Sequence, residues 1–199
     1  RANYILNERY YLTATVRYDG SSRFKDHWAL FPSFALAWKI KEEAFLKNAD
    51  WLSDLKLRLG YGKTGQQDIG SNYAWIPTYS MSTGTNGFYP VAGDGTLYRP
   101  DNFTPDLKWE TTTQTNIGLD FGLFNNSLSI SMDYYIKKTK DMLTIPPTLS
   151  VEGENASKWM NTGDMKNNGF ELTIDYRSPQ YGDFSWGGSL NLSRYKNEL

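Results

Sequence analysis

The triplet Gly62-Lys63-Thr64 is the pattern in this sequence most apt for chemistry, because a glycine-rich loop ending in Gly-Lys-Thr can cradle phosphate on its backbone N–H groups. Such a loop also needs a glycine where Leu57 stands, and a helix directly after it. The next residues are instead Gly65-Gln66-Gln67-Asp68-Ile69-Gly70, which read as a turn, so nucleotide binding is not expected. His27 is the only histidine and cysteine is absent, which removes disulfides, cysteine-based zinc sites and iron–sulfur clusters and argues against a Ser-His-Asp triad. The acidic pairs Asp101/Asp106 and Glu152/Glu154 invite comparison with a glycosidase, whose two carboxylates flank the scissile bond. They fall in loop-like sequence and lack calcium-loop spacing, so they read as solvated carboxylates. No catalytic residue, metal or cofactor is expected.

Binding chemistry is better represented. The long loop Thr64–Leu107 holds Tyr73, Trp75, Tyr79, Phe88, Tyr89, Tyr98, Arg99 and Asp101 among many Gly, Ser, Thr and Asn residues. Trp159 lies in a second long loop, Leu143–Lys166. Aromatic rings stack on sugar C–H faces while amides and carboxylates satisfy hydroxyls, so the mixture suits carbohydrate or peptide capture. Taken one by one, the same aromatics read more readily as a small core inside a self-packed loop.

Composition narrows the setting. The chain has 199 residues, with 21 Lys+Arg against 22 Asp+Glu and a net charge of -1. No excess of positive charge exists to displace phosphate counterions, so nucleic acid is not an expected partner. Mean hydropathy is -0.59 and no apolar run approaches the length of a membrane-crossing helix. Alternating strands of a membrane β-barrel average to just such a polar hydropathy, and aromatics at 16% exceed the needs of a plain soluble domain.

Period-two alternation dominates the elements that must position those loops. Leu128, Ile130, Met132, Tyr134 and Ile136 alternate with Ser127, Ser129, Ser131, Asp133, Tyr135 and Lys137. Thr111–Leu123 alternates likewise, and Asn125-Asn126 between the two runs predicts a two-residue hairpin turn. Similar runs cover Tyr10–Tyr18, Leu30–Ile40, Leu55–Tyr61, Phe170–Tyr176 and Phe184–Leu192, with a stub at Arg1–Ile5. The sequence therefore predicts about eight antiparallel strands, an all-β fold, with Lys41–Leu46 as a single short helical turn. One face is Leu, Ile, Val, Phe, Trp and Tyr; the other is small, polar or charged.

Short links at Leu6–Arg9, Asn125-Asn126 and Ser178–Asp183 alternate with long ones at Thr64–Leu107 and Leu143–Lys166. The pair Gly20–His27 and Lys41–Ser53 breaks this parity, since the link expected to be shorter is longer. Turns at one end and loops at the other are the arrangement of outer-membrane barrels. On that reading Arg17, Arg58, Asp120, Asp133, Glu171, Asp175 and Arg177 face a lumen, while the apolar stripe contacts acyl chains. A complete eight-stranded barrel and a soluble carbohydrate-binding β-sandwich remain as alternatives.

Several ordered stretches resemble one family. They are YYLTATVRYDGSSRF (Tyr10–Phe24), LFPSFALAWKI (Leu30–Ile40), LSDLKLRLGYGKTG (Leu52–Gly65), LKWETTTQTNIGL (Leu107–Leu119), SMDYYIKKTKDML (Ser131–Leu143) and NTGDMKNNGFEL (Asn161–Leu172). Together they resemble SusC/RagA-type TonB-dependent outer-membrane transporters. The resemblance implies a transmembrane antiparallel β-barrel wall, about eight strands of a larger 22-stranded barrel in the outer membrane of a Gram-negative bacterium. It further implies import of oligosaccharides or peptides beneath a SusD-like surface lipoprotein, energised through TonB. On this expectation residues 1–199 are part of the barrel domain, and the plug, the TonB-contacting segment and the final strands lie outside them.

Overall fold

Alternating sequence becomes strand because β-branched and aromatic side chains pack well on a pleated surface whose successive residues point to opposite faces. The computed structural model describes residues 1–81, 96–147, 158–179 and 183–199. In chain order the strands are β1 (Ala2–Leu6), β2 (Tyr10–Gly20), β3 (Trp28–Lys39), β4 (Leu52–Gln66), β5 (Tyr79–Met81) and β6 (Tyr98–Pro100). The order continues with β7 (Glu110–Leu123), β8 (Leu128–Lys140), β9 (Leu143–Thr144), β10 (Met160–Asn161), β11 (Met165–Arg177) and β12 (Gly187–Glu198). Eight of these form one antiparallel sheet in the order β1-β2-β3-β4-β7-β8-β11-β12, with β5–β6 and β9–β10 as small pairs in the two long loops. Apart from β1, its strands run from 11 to 15 residues, long enough to cross a bilayer at a tilt. Among the described residues β1 and β12 do not pair, so the sheet is an open wall and not a closed eight-stranded barrel.

Turn chemistry sets the short links. Asn7 and Glu8 both have positive φ, 51° and 55°, and the Arg9 N–H donates to the Leu6 carbonyl at 3.1 Å. The turn after β7 is wider than the expected Asn125-Asn126 pair. Phe124, Asn125 and Asn126 are all left-handed, with φ of 52°, 55° and 60°, so pairing stops at Leu123 opposite Leu128. The last strand also starts later than its alternation implied, at Gly187 and not near Phe184.

The exception to loop parity is real and has a local cause. The link from β3 to β4 holds a 3-10 turn at Ile40–Glu42 in place of the helical turn expected over Lys41–Leu46. Glu43 gathers three donors there: the Tyr10 hydroxyl at 2.6 Å, the Trp38 indole at 3.1 Å and the Arg9 guanidinium at 3.2 Å. These contacts, the Tyr10 hydroxyl foremost, hold the Glu43 carboxyl below the usual carboxylate range. Lys41 Nζ caps the carbonyls of Leu46, Lys47 and Ala49. The link is thus a folded cap that needs its extra length.

Register determines the sheet's two faces. Leu57, Leu119, Met132, Leu172 and Leu192 sit directly opposite one another across five strands. The same face presents Leu12, Val16, Tyr18, Trp28, Phe34, Tyr61, Ile117, Tyr134 and Phe170, all strongly exposed. Among the described residues nothing packs over this stripe; the buried cluster of the chain lies at the loop end instead. Left in water, each such half-exposed side chain would forgo about 1 kcal/mol of burial, and one uncovered patch of this size is foreign to a soluble sandwich. Contact with acyl chains removes that cost.

Candidate functional site

The polar face carries a charged network at its middle. Arg58 on β4 grips Asp120 on β7 with two parallel bonds, Nε to Oδ2 at 2.8 Å and Nη2 to Oδ1 at 2.9 Å. Its Nη2 also donates to Asp133 on β8 at 2.9 Å, and Ser131 donates to Asp120 at 2.7 Å. Gly118 makes the geometry possible, because a Cβ there would lie 2.5 Å from Asp133 Oδ1 and 2.7 Å from Arg58 Cζ. Arg58→Met leaves Asp120 with Ser131 as its donor and takes the guanidinium from Asp133, and is expected to cost about 1–2 kcal/mol, a partly solvated version of a broken ion pair. Gly118→Val should cost as much by displacing the guanidinium, and Arg58→Lys should restore only part, having lost the fork. Thermal unfolding of the assembled receptor is the check.

At the long-loop end, residues from four segments close into a small core. Phe24 and Leu107 are fully buried, joined by Phe31, Ile69, Ala74 and Trp109. Trp109 stacks at a tilt on Phe24, with centroids 5.0 Å apart, meets Phe31 edge-on, and donates its indole N–H to the Asp26 carbonyl at 3.1 Å. Polar ties bind the same loops. Arg23 donates to Asp68 at 2.8 Å and to the Gln67 carbonyl at 3.0 Å, and that contact keeps the Asp68 carboxyl below its usual range. Asn161 accepts from the Lys108 N–H at 2.8 Å and donates to the carbonyls of Lys108 and Asp141. Beside this core opens a cavity of about 450 Å³, lined by Tyr73, Thr78, Asp101, Asn102, Lys158 and Trp159. Aromatic faces, a carboxylate and an ammonium around one hollow of that size fit a polar organic ligand.

An uncovered apolar face, a charged opposite face and loops gathered at one end agree with the comparisons to known proteins. The family model described as TonB dependent receptor-like, beta-barrel matches residues 1–198. The chain belongs to that family. TonB-dependent receptor SusC of Bacteroides thetaiotaomicron is 46% identical over 204 residues, covering 100% of this chain and 20% of that protein. TonB-dependent receptor P3 of Formosa agariphila is 38% identical over 201 residues, again 100% of this chain and 20% of the relative. The solved RagAB peptide importer in its closed-closed state superposes with a TM-score of 0.84 at 33% identity, over 98% of this chain and 21% of that one. The siderophore receptor PirA from Pseudomonas aeruginosa, at 17% identity and a TM-score of 0.59, shares the fold alone. The chain spans about a fifth of the length of the curated relatives it matches.

Within this receptor-family wall the residues singled out from sequence separate. The register puts Arg17, Arg58, Asp120, Asp133, Glu171, Asp175 and Arg177 on one face, opposite the apolar stripe. Only Arg58, Asp120 and Asp133 are brought together; Arg17 pairs locally with Asp19 at 2.9 Å. Of the loop residues, Tyr73, Asp101 and Trp159 share the cavity wall, while Tyr79, Tyr98 and Arg99 lie on the β5–β6 pair. Trp75 packs against the buried core and donates its indole N–H to the Ser22 carbonyl at 2.8 Å. Asp101 accepts from Thr78 and Ser80, at 3.0 and 2.6 Å. Phe88 and Tyr89 lie outside the described residues. Sequence reasoning missed Phe24, Phe31, Trp109, Arg23 and Asn161. Phe31 alone left a trace, as an aromatic out of phase on the polar face of β3.

Proposed function

We propose that this chain forms part of the wall and outer vestibule of an outer-membrane active transporter in a Gram-negative bacterium. The observation that carries the reading is the one-sided sheet: long strands with an uncovered apolar face, an ionic network on the other face and the loop core at one end. Hydrocarbon then meets the apolar face, every backbone group pairs along the wall, and the polar face lines a lumen in which Arg58, Asp120 and Asp133 hold the strands or meet a plug. Membership of the TonB-dependent receptor family supports the same assignment. The remaining strands of a 22-stranded barrel, the plug and the TonB-contacting segment belong to the rest of the protein on this proposal.

The transported solute is an oligosaccharide or a peptide, gathered by the loop cavity at Tyr73, Asp101 and Trp159 beneath a SusD-like lipoprotein and moved inward at the expense of TonB. The work of these residues is capture and passage, with no bond-making step. Uptake of a panel of labelled glycans and peptides should be measured in cells carrying the full-length receptor, with and without TonB and the lipoprotein. Accumulation of one class that is lost when TonB is removed is the expected result. Uptake of every solute at the rate of cells lacking the receptor would overturn the proposal.

A further inference from the structure

The outward, apolar face changes character at one end only. Among the described strands it carries six basic side chains: Lys63, Lys138, Lys140, Lys166 and Lys196 lie toward the long-loop ends of β4, β8, β11 and β12, and Arg194 lies further in, in the row of Phe170 and Tyr134. The short-turn end of the same strands presents Leu55, Phe121, Leu123, Leu128 and Tyr176. Charges on the inward face are of mixed sign, as in the Arg58 network, whereas the outward end is basic with one acid, Glu198. Glu198 lies 3.6 Å from Lys166 and 2.6 Å from Lys196. Lys63, Lys138 and Lys140 have no ion-pair partner among the described residues.

Register makes the patch stranger as a purely structural feature. Lys138 sits directly opposite Lys166, and Thr113 links Lys63 to Lys138 across the same row. Like charges facing across antiparallel strands destabilise a sheet unless an anion lies between them. A recess of about 260 Å³ opens among Lys138, Lys140 and Lys166, with Asp164 and Glu198 also on its wall. The next outward-facing row toward the membrane centre, Tyr61, Thr115 and Ile136, begins an apolar groove of about 520 Å³ that continues past Phe34, Leu59 and Tyr134.

We infer that this face docks a phosphorylated glycolipid of the outer leaflet, with its phosphates on Lys63, Lys138, Lys140 and Lys166 and an acyl chain in the groove below. Lysine stems reach along apolar surface while their ammonium groups stay at the polar level, which suits a phosphate at the membrane boundary. A soluble anion would meet the lysines alone, whereas one lipid molecule spans both the lysines and the adjoining groove. The inference rests on the membrane orientation given under the proposed function.

The test uses the full-length receptor in detergent, titrated with bisphosphorylated lipid A and with its dephosphorylated form. The phosphorylated lipid should bind roughly tenfold more tightly or better, by analogy with lysines near an anionic membrane surface. Combined Lys63→Gln, Lys138→Gln and Lys140→Gln should abolish most of that preference, and inward-facing Lys137→Gln should leave it intact. Equal affinity for the two lipids, an undiminished preference in the triple variant, or competition by inorganic phosphate at the strength of the lipid would each overturn the site. Should the triple variant fail to assemble, the two-lipid comparison on the unaltered receptor decides. Lipid contact at Ile130, measured separately by spin labelling, tells failure of the glycolipid site from failure of the orientation.

Discussion

Ile130→Arg in the full-length receptor is expected to cut the folded protein recovered from the outer membrane several-fold, while Ser129→Arg leaves it near the unaltered level. Ile130 lies between Phe121 and Ile174 in the apolar rows. An arginine on the lipid face costs about 2–4 kcal/mol at mid-membrane and less toward the interfaces, and that loss falls on assembly. Ser129 is one residue along and points to the opposite face, between Gly122 and Asp175. An arginine there meets a carboxylate and water. The two variants introduce the same side chain, so the facing alone separates them. Heat-modified migration of the barrel on a gel gives the folded fraction, and equal defects in both variants would sink the facing assignment.

Trp109→Ala should damage a different level of the structure. Trp109 is buried against Phe24 and Phe31 and bonded to the Asp26 carbonyl, so its removal opens a cavity and frees a polar group. Truncating a buried tryptophan costs about 3–5 kcal/mol. Here the loss falls on a core built mostly from loops, which meets the sheet at Phe31 near one end of β3. The variant should therefore assemble normally while its long loops become rapidly cleaved by protease and solute uptake falls. Trp109→Phe, which keeps most of the ring contact, should recover much of the protection. A variant that fails to assemble at all would place Trp109 in the foundation of the wall and not in its vestibule.

The wall was legible in the sequence because alternation is a local property. Ser127–Lys137 alone displays which residues share a face, and the register adds only which neighbours they meet. The Arg58 network was legible as three residues of one face but not as a contact. Asp120 and Asp133 lie 62 and 75 positions from Arg58, and their meeting depends on which strands adjoin and in what register. The loops were least legible, since no period distinguishes Tyr73, which lines the cavity, from Trp75 two residues later, which anchors the core. The loop aromatics divide in the fold: Trp75 packs against the core and Tyr73 borders the hollow beside it. Phe31 belongs to the first group because the loop end roofs its strand, a tertiary circumstance that its own segment does not encode.

The central claim is that one face of this sheet meets lipid and the other meets water. Spin labels placed singly at positions 128 to 136 of the full-length receptor in lipid vesicles test it most directly. Accessibility is read to oxygen, which concentrates in the bilayer, and to a water-soluble nickel chelate. Positions 128, 130, 132, 134 and 136 should favour oxygen, and 129, 131, 133 and 135 should favour nickel or be shielded from both. Accessibilities that show no period of two, or oxygen-rich odd positions, would contradict the account.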